Sequence, residues 1–262
     1  MKYYKILLAV CLIISLPIAG ALLYLQQKGN DGVLILEYHK VNNDDNDEYT
    51  TSVNDFEEQL AYLTRQGYKT ISIMDFVRAK KYGEKLPAKS VILTFDDGYE
   101  DNYTDVMPFL KDHAMKGTVF IIANDVGQPG YLSWQQIKDM QSTGMEIGSH
   151  TANHLPLTTL SAGEIDSEIK LSKLLMEWKG LKTIYFFSYP NGAYNITAEQ
   201  DLKQYGYLAA VTGDPGINKF STDPFLLQRT YIPRLRFGMT EFKLRILKSK
   251  LYSVLNIKQN KL

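Results

Sequence analysis

Short apolar segments alternate with longer amphipathic ones through most of this chain, and that alternation most constrains its fold. Apolar runs of strand length occur at Ser90 to Phe95, Thr118 to Ala123 and Met145 to Ser149. Segments with helical periodicity separate them, and two of these segments open with the capping-box residues Ser133 and Ser161. Short strands alternating with longer helices predict a mainly parallel sheet with right-handed crossovers, so we expect one α/β domain.

The remaining predicted elements extend the same pattern to both ends of the domain. We expect further strands at Val33 to Leu36, Thr183 to Ser188 and Tyr207 to Val211, and helices at Asn54 to Gln66, Met74 to Lys81 and Tyr103 to Met115. The basic tail from Met239 to Leu262 also has helical spacing. It predicts a surface helix packed on the domain, with contact to an anionic membrane as the alternative.

The N-terminus differs in character from everything that follows it. Lys2 and Lys5 precede an uncharged stretch from Ile6 to Leu25, close to the ~20 apolar residues that a membrane-spanning helix needs. Leading lysines favour a cytoplasmic start, which places the rest of the chain outside the cytoplasm. We therefore expect residues 1–29 to form a signal-anchor and short linker, and residues 30–262 to form an extracytoplasmic domain.

Cleavage of this segment is the competing interpretation. Ala19-Gly20-Ala21 has the small-x-small form of a signal-peptide site, and cleavage near Ala21 would release a secreted protein. The apolar run continues past that site, which favours an uncleaved anchor. The only cysteine, Cys11, lies inside the segment, so the exported part cannot form an internal disulfide.

Overall charge argues against a nucleic-acid partner. Lys and Arg total 29 and are balanced by 29 Asp and Glu, so no global basic field is present. We expect a monomer that does not bind nucleic acid.

Acidic and imidazole side chains follow two of the predicted strands. The run Val91 to Phe95 is followed by Asp96 and Asp97, and the run ending at Ser149 is followed by His150 and, four residues later, His154. An Asp-Gly turn and ordinary surface histidines are the alternatives. If the chain makes a helical turn after Ser149, however, both imidazoles share one face.

These residue types suit a hydrolytic metal site. One carboxylate and two neutral imidazoles can hold Zn²⁺ or another first-row divalent ion and leave positions for water and substrate. The other carboxylate would be free to act as a base.

Two segments resemble the first two signature motifs of the NodB-homology polysaccharide deacetylases, carbohydrate esterase family 4. They are Thr94-Phe95-Asp96-Asp97-Gly98 and His150-Thr151-Ala152-Asn153-His154. The resemblance implies a distorted (β/α) barrel with about seven parallel strands, here preceded by one transmembrane helix. It implies that Asp96 is the catalytic base. It also implies that Asp97, His150 and His154 bind one divalent ion, Zn²⁺ or alternatively Co²⁺, Ni²⁺ or Fe²⁺.

The third family motif, commonly Arg-x-Pro-Tyr-Gly, is altered to Ser188-Tyr189-Pro190-Asn191-Gly192. The backbone N–H of Asn191 can still serve the oxyanion. The arginine that orients the catalytic base is missing, and Arg229, on a late strand-like segment, is the candidate replacement.

In the family that these motifs resemble, a late Leu-x-His motif supplies the general acid, but no histidine follows His154 in this chain. The resemblance therefore implies that the general acid comes from another position. His39 follows the first predicted strand, and an early Tyr-His pair resembles the branch that deacetylates poly-β-1,6-N-acetylglucosamine, a biofilm adhesin. We expect His39 to protonate the leaving amine, with His113 as the distant alternative. Tyr99, Trp134, Tyr189 and Tyr194 lie near the motifs and could stack on sugar rings, and of these we expect Tyr189 or Trp134 to line a sugar-binding groove.

The resemblance thus implies a cell-surface hydrolase that removes N-acetyl groups from an N-acetylglucosamine polysaccharide. The alternatives are a peptidoglycan N-acetylglucosamine deacetylase, an esterase of xylan or chitin oligomers, and a noncatalytic glycan-binding protein of the same fold.

Overall fold

The structure is a computed structural model that describes residues 32–255 and 257. Its strands are β1 (Val33–Tyr38), β2 (Lys40–Val41), β3 (Thr50–Thr51), β4 (Lys69–Thr70), β5 (Ser90–Phe95), β6 (Thr118–Ile121), β7 (Glu146–Ser149), β8 (Phe186–Ser188), β9 (Ala209–Val211), β10 (Ile217–Asn218) and β11 (Thr230–Tyr231). Its α-helices are α1 (Val53–Arg65), α2 (Ile73–Tyr82), α3 (Met107–Asp112), α4 (Trp134–Ser142), α5 (Ala162–Trp178), α6 (Ile196–Gln204) and α7 (Gly238–Leu255).

Among these residues, nine strands form one curled sheet. Its order is β10-β1-β5-β6-β7-β8-β9, with β11 paired to β1 and β4 paired to β5. Every ladder is parallel except the one between β1 and β10. The segment from Leu227 to Tyr231 bridges the two sides, because Leu227 pairs with Val211 and β11 pairs with β1. The result is an open, curled half-barrel of mostly parallel strands, where a distorted (β/α) barrel of about seven parallel strands was expected.

Two separate cores follow from the period-two alternation of the strands. Leu34 and Leu36 face the outer core beneath the surface helices, whereas Val33 and Ile35 face an inner core inside the curl. Helix α2 closes the inner core with Ile73 and Phe76. The strands are therefore buried on both faces, which explains why they read as continuous apolar runs.

Most predicted helices and strands are confirmed to within a few residues. Ser133 starts α4 with the predicted capping box, and Glu164 accepts a hydrogen bond from the backbone N–H of Ser161 at the start of α5. The segment predicted as one helix from Tyr103 to Met115 instead begins with a π-helix at Asn102–Val106 and ends with α3. Helix α3 ends at Asp112, and two residues later Ala114 has a left-handed φ of 51°, which is incompatible with a continuing helix.

The predicted tail helix is confirmed as α7, which packs on α1 through a contact between Phe242 and Tyr62. The predicted membrane segment, its cleavage site and Cys11 lie outside the described residues. Within residues 32–255, no helix is long and apolar enough to cross a bilayer.

Gly148 on β7 offers a test of inner-core packing. A Cβ atom there would lie 2.5 Å from two ring carbons of Phe120 and 2.9 Å from the carbonyl oxygen of Phe186. We expect Gly148→Ala to lower the free energy of unfolding by about 1–3 kcal/mol in urea denaturation. Gly163→Ala is the matched control, because no heavy atom lies within 4 Å of the position that its new methyl group would occupy and α5 should tolerate alanine. Equal stability of the two variants would contradict this description of the core.

Candidate active site

Chemically active side chains collect at the edge of the sheet where its parallel strands end. His39 follows β1, Asp96 and Asp97 follow β5, and His150 follows β7. The register places Tyr38 opposite Phe95, and the backbone N–H of Asp96 donates to the Tyr38 carbonyl over 2.9 Å. Parallel pairing therefore brings together residues that are more than fifty positions apart in the chain.

Asp97, His150 and His154 form a compact ligand set. Oδ1 of Asp97 lies 3.5 Å from Nε2 of His150 and 3.5 Å from Nε2 of His154. Tetrahedral Zn²⁺ with ligands at ~2.0–2.1 Å holds its ligand atoms about 3.3 Å apart, so these three atoms have a suitable spacing.

Two further features fit a cation at this position. Nδ1 of His150 lies 2.8 Å from the Ser188 carbonyl and can donate to it, which leaves the Nε2 lone pair facing Asp97. Oδ1 of Asp97 is buried and has no hydrogen-bond partner. A buried carboxylate oxygen without a donor is costly unless something positive binds it.

The turn that presents the two histidines is not helical, contrary to the expectation. Thr151 and His154 have φ angles of 70° and 57°, in the left-handed region. Glu168 of α5, which the sequence reasoning missed, holds this turn by accepting hydrogen bonds from the backbone N–H groups of Ala152 and Asn153. The imidazoles converge through this strained turn, with ring centroids 4.7 Å apart.

Arg229 forms a bidentate ion pair with Asp96 in the buried centre of the site. Its NH1 and NH2 nitrogens donate to Oδ1 and Oδ2 of Asp96 over 2.7 and 2.8 Å. Burial alone would raise the pKa of Asp96, but the Arg229 guanidinium outweighs it and holds that pKa well below its usual range. Asp96 is therefore ionised and fixed in orientation.

The altered third motif makes room for this arginine. Ser188, at the motif position usually held by arginine, donates through its hydroxyl to Oδ2 of Asp96 over 3.0 Å. The same hydroxyl accepts from NH2 of Arg229 over 3.1 Å. A small side chain on β8 thus replaces a long one, and the guanidinium reaches Asp96 from the segment that bridges the sheet.

A second cluster of possible ligands, Glu37, His39 and Asp96, does not suit a metal ion. Their candidate ligand atoms lie within 4.8 Å of one another. However, Arg229 already contacts both carboxylates, with Nε 3.2 Å from Oε2 of Glu37. A divalent cation would face this guanidinium at close range, so Asp97, His150 and His154 are the better metal site.

His39 and Asn191 lie in the wall of the same cavity. The Nδ1 atom of His39 is buried without a hydrogen-bond partner, and its ring lies 5.2 Å from that of Tyr49. Burial lowers the pKa of His39, while Asp96 and Asp97 act in the opposite direction. Asn191 has a left-handed φ of 55° within a short 3-10 helix, Pro190–Gly192.

The cavity has a volume of about 680 Å³, within the usual range for ligand sites. Its aromatic lining consists of Tyr49, Tyr99, Tyr131 and Tyr231, of which Tyr99 was one of the four candidates from the sequence. Tyr99 and Tyr131 stack with their centroids 5.2 Å apart.

The cavity is not lined by Tyr189 or Trp134, which were expected in the groove, or by His113, the alternative general acid. Tyr189 is fully buried beside Phe187, and Trp134 packs against the outer core. His113 is exposed at the end of α3 and stacks on Phe109. Tyr189 was mispredicted because, at the end of β8, its ring turns into the outer core instead of towards the cavity.

Asp97 provides a test of the ligand set without any substrate. Burial raises its pKa from 3.8 to about 6, so the metal-free folded state binds this proton more tightly than the unfolded state does. The protonated Asp97 side chain therefore favours the folded state. This contribution to stability is complete below pH 3.8 and is lost as the pH rises through 6. We therefore expect Asp97→Asn to stabilise the metal-free protein at pH 7.5 by up to about 3 kcal/mol, and by less at pH 5.

Thermal unfolding with and without added Zn²⁺ makes the measurement. Zn²⁺ should raise the Tm of the parent protein and leave that of Asp97→Asn unchanged. Asp125→Asn, in the wall of the same cavity, is the control and should keep the zinc response. A zinc response in Asp97→Asn equal to that of the parent would remove Asp97 from the ligand set.

Comparison with known proteins identifies the family of this chain. A family profile described as polysaccharide deacetylase matches residues 83–210. YxkH of Bacillus subtilis, assigned by its name to the polysaccharide deacetylases, is 32% identical over 198 residues, which cover 76% of this chain and 70% of YxkH. The poly-β-1,6-N-acetyl-D-glucosamine N-deacetylase of Escherichia coli K12 is 27% identical over 72% of this chain. The chain spans only 35% of that enzyme's length.

Solved structures agree with this relationship. IcaB from Ammonifex degensii has a TM-score of 0.74 and 26% identity, covering 83% of this chain and 97% of that one. The Streptococcus pyogenes deacetylase PplD, solved with acetate, has a TM-score of 0.73 and 28% identity, covering 81% of this chain and 97% of that one. Through its similarity to YxkH and the fold it shares with these deacetylases, the chain belongs to the polysaccharide deacetylase family of hydrolases.

Proposed function

We propose that this protein is a metal-dependent N-deacetylase of an extracellular amino-sugar polymer, most specifically poly-β-1,6-N-acetyl-D-glucosamine. The proposal rests on two groups of side chains that line the same cavity. The first group is the carboxylate of Asp96, which is held in place by Arg229. The second group is the candidate ligand set of Asp97, His150 and His154. Hydrolysis of an unactivated amide requires both a base and an electrophile.

Asp97, His150 and His154 would hold the divalent ion. When bound, such an ion supplies Lewis acidity to the acetamide carbonyl and to the attacking water. Asp96 takes the proton from that water as the water oxygen forms its bond to the carbonyl carbon. Because the pKa of Asp96 is held low by Arg229, this carboxylate is a weak base and its orientation matters more than its proton affinity.

The oxyanion and the leaving amine need separate partners. The backbone N–H of Asn191, in the cavity wall, is our candidate donor to the oxyanion. His39 then gives a proton to the sugar nitrogen as the carbon–nitrogen bond breaks, which yields acetate and a free amine. Burial lowers the pKa of His39, and the carboxylates of Asp96 and Asp97 oppose this shift without cancelling it, so His39 releases its proton readily to the leaving nitrogen.

Several features support the poly-β-1,6-N-acetylglucosamine branch over other substrates. The chain has the early Tyr38-His39 pair, lacks any histidine after His154, and carries an altered third motif. Relatives in Escherichia coli and Staphylococcus aureus bear the name of this activity. A noncatalytic glycan-binding role is less well supported, since the catalytic base and all three candidate ligands are present and adjacent. We further propose an extracytoplasmic location, with residues 6–25 as the membrane anchor.

Acetate release from defined polymers tests the substrate and the metal together. We expect the purified protein to release acetate from poly-β-1,6-N-acetylglucosamine, to stop after treatment with a chelator, and to recover when Zn²⁺ or Co²⁺ is added back. Peptidoglycan serves as the parallel substrate. Release from peptidoglycan alone would assign the protein to that polymer, and release that persists after metal removal would refute the mechanism.

His39 tests the assignment of the general acid. We expect His39→Ala to lower kcat by ~10²-fold or more, because an unprotonated amine leaves poorly, while the metal content stays near that of the parent. His113→Ala is the matched control, since His113 is exposed at the end of α3 and does not line the cavity. Unchanged turnover in His39→Ala would take His39 out of the mechanism.

A further inference from the structure

The balanced net charge of this chain conceals a separation of charge along the axis of the half-barrel. We call the edge where the parallel strands end, which holds the cavity, the mouth, and the edge where they begin the floor. The mouth carries Asp44, Asp45, Asp47, Glu48, Asp96, Asp97, Glu100, Asp101, Asp125 and Asp214 against Lys40, Arg229, Arg234, Arg236 and two cavity-lining residues of α7, Arg245 and Lys248. The floor carries Lys69, Arg78, Lys80, Lys81, Lys85, Lys89, Lys111, Lys116, Lys179, Lys182, Lys203 and Lys219 against Asp75, Glu84, Asp112, Glu146, Glu177 and Asp223.

The floor also exposes large aromatic side chains among these lysines. Trp178 is 78% exposed, Tyr82 is 66% exposed and Phe220 is 53% exposed. Lysine ammonium groups lie next to two of them, 5.2 Å from the Tyr82 ring for Lys81 and 5.0 Å from the Trp178 ring for Lys179. Lysines interleaved with exposed Trp, Tyr and Phe are typical of surfaces that meet the interface of a lipid bilayer.

Helix α2 runs across the floor and is held by hydrogen bonds near both of its ends. Near its first residue, the backbone N–H groups of Ile73 and Met74 donate to Glu146 at the start of β7. Near its other end, Lys80 donates to the Phe220 carbonyl, beside the start of β1. Helix α2 therefore crosses the floor from one side of the sheet to the other, with its apolar face in the inner core and its cations outside.

The described chain also begins on this surface. Gly32 lines an apolar depression of about 400 Å³ together with residues 83–88 and Phe220. In the sequence, the uncharged stretch from Ile6 to Leu25 precedes Gly32 by only a few residues. The basic and aromatic floor and the point where the chain enters the domain thus coincide.

We propose that the floor docks on an anionic phospholipid bilayer and that the mouth consequently faces away from the lipid. Positive charge alone would suit any polyanion of the cell envelope. The exposed side chains of Trp178, Tyr82 and Phe220 favour a bilayer, because aromatic residues are enriched in its interfacial region. Strand β1 has six residues, so the mouth lies roughly 20 Å beyond the floor. The acidic mouth would be held away from anionic headgroups, where it can receive a polymer from outside.

Site-directed fluorescence quenching in the full chain tests this orientation. Cys11→Ala removes the native thiol, and one cysteine is introduced either at the floor, by Ser221→Cys, or at the mouth, by Gln128→Cys, and labelled. The protein is reconstituted in vesicles of phosphatidylglycerol and phosphatidylcholine that contain a quencher attached to the lipid. We expect emission of the floor probe to fall by about half or more and emission of the mouth probe to change little, with the difference lost in pure phosphatidylcholine.

Charge and aromatic variants then locate the contact. Quenching of the floor probe should weaken in Lys81→Gln/Lys85→Gln/Lys219→Gln and in Tyr82→Ser/Trp178→Ser/Phe220→Ser. It should persist in the control Lys170→Gln/Arg236→Gln/Lys243→Gln, which removes three exposed cations from the helix sides and the mouth. Persistence of full quenching in both floor variants would overturn the proposal, as would equal quenching of the two probes. A floor probe that responds only to soluble polyphosphate would overturn it in favour of a polyanion site.

Discussion

The buried ion pair between Asp96 and Arg229 is the interaction around which the rest of this structure is arranged. Arg229 is fully buried, and it donates to Asp96, the Thr94 and Ser188 hydroxyls and the Thr212 carbonyl. Such a pair adds little net stability, because removing two charges from water costs about what their attraction returns. Its value lies in orientation, since both oxygens of Asp96 are held by a planar, rigid donor.

That orientation is built into the closure of the sheet. Arg229 lies between Leu227, which pairs with β9, and β11, which pairs with β1. The same short segment therefore joins the two sides of the half-barrel and delivers the guanidinium to its centre. Any change that opened the sheet at this point would also release Asp96, so folding and preorganisation of the proposed catalytic base are linked.

The alternating strands and helices, and the positions of Asp96, Asp97, His150 and His154 at strand ends, could be predicted from the sequence. Parallel strands place their carboxyl ends at one edge, so the meeting of these residues follows from topology alone. The shape of the His150–His154 turn could not be predicted in this way. It depends on positive φ angles at Thr151 and His154 and on Glu168, which is distant in sequence and whose role is visible only once α5 is packed.

Most of the aromatic lining and the distribution of charge could not be predicted from the sequence, for a related reason. Whether Tyr189 or Tyr99 faces the cavity depends on how the ends of β8 and β5 turn, and strand periodicity does not extend into those turns. Likewise, a net charge of zero carries no information about where the charges lie. Only the topology assigns each loop to the floor or the mouth, and with it the acidic and basic halves of the molecule.

The site also stores unfavourable energy that the two cores must offset. Asp97 has a left-handed φ of 74°, a buried oxygen without a donor, and a pKa raised to about 6 by burial. A buried carboxylate without a donor is destabilising in the metal-free fold, and a cation at the proposed site would supply the missing positive partner. By contrast, the burial of Asp96, one residue earlier, is offset by Arg229. Two adjacent acids therefore differ because one has its positive partner within the chain, whereas the other is positioned as a ligand of the proposed cation.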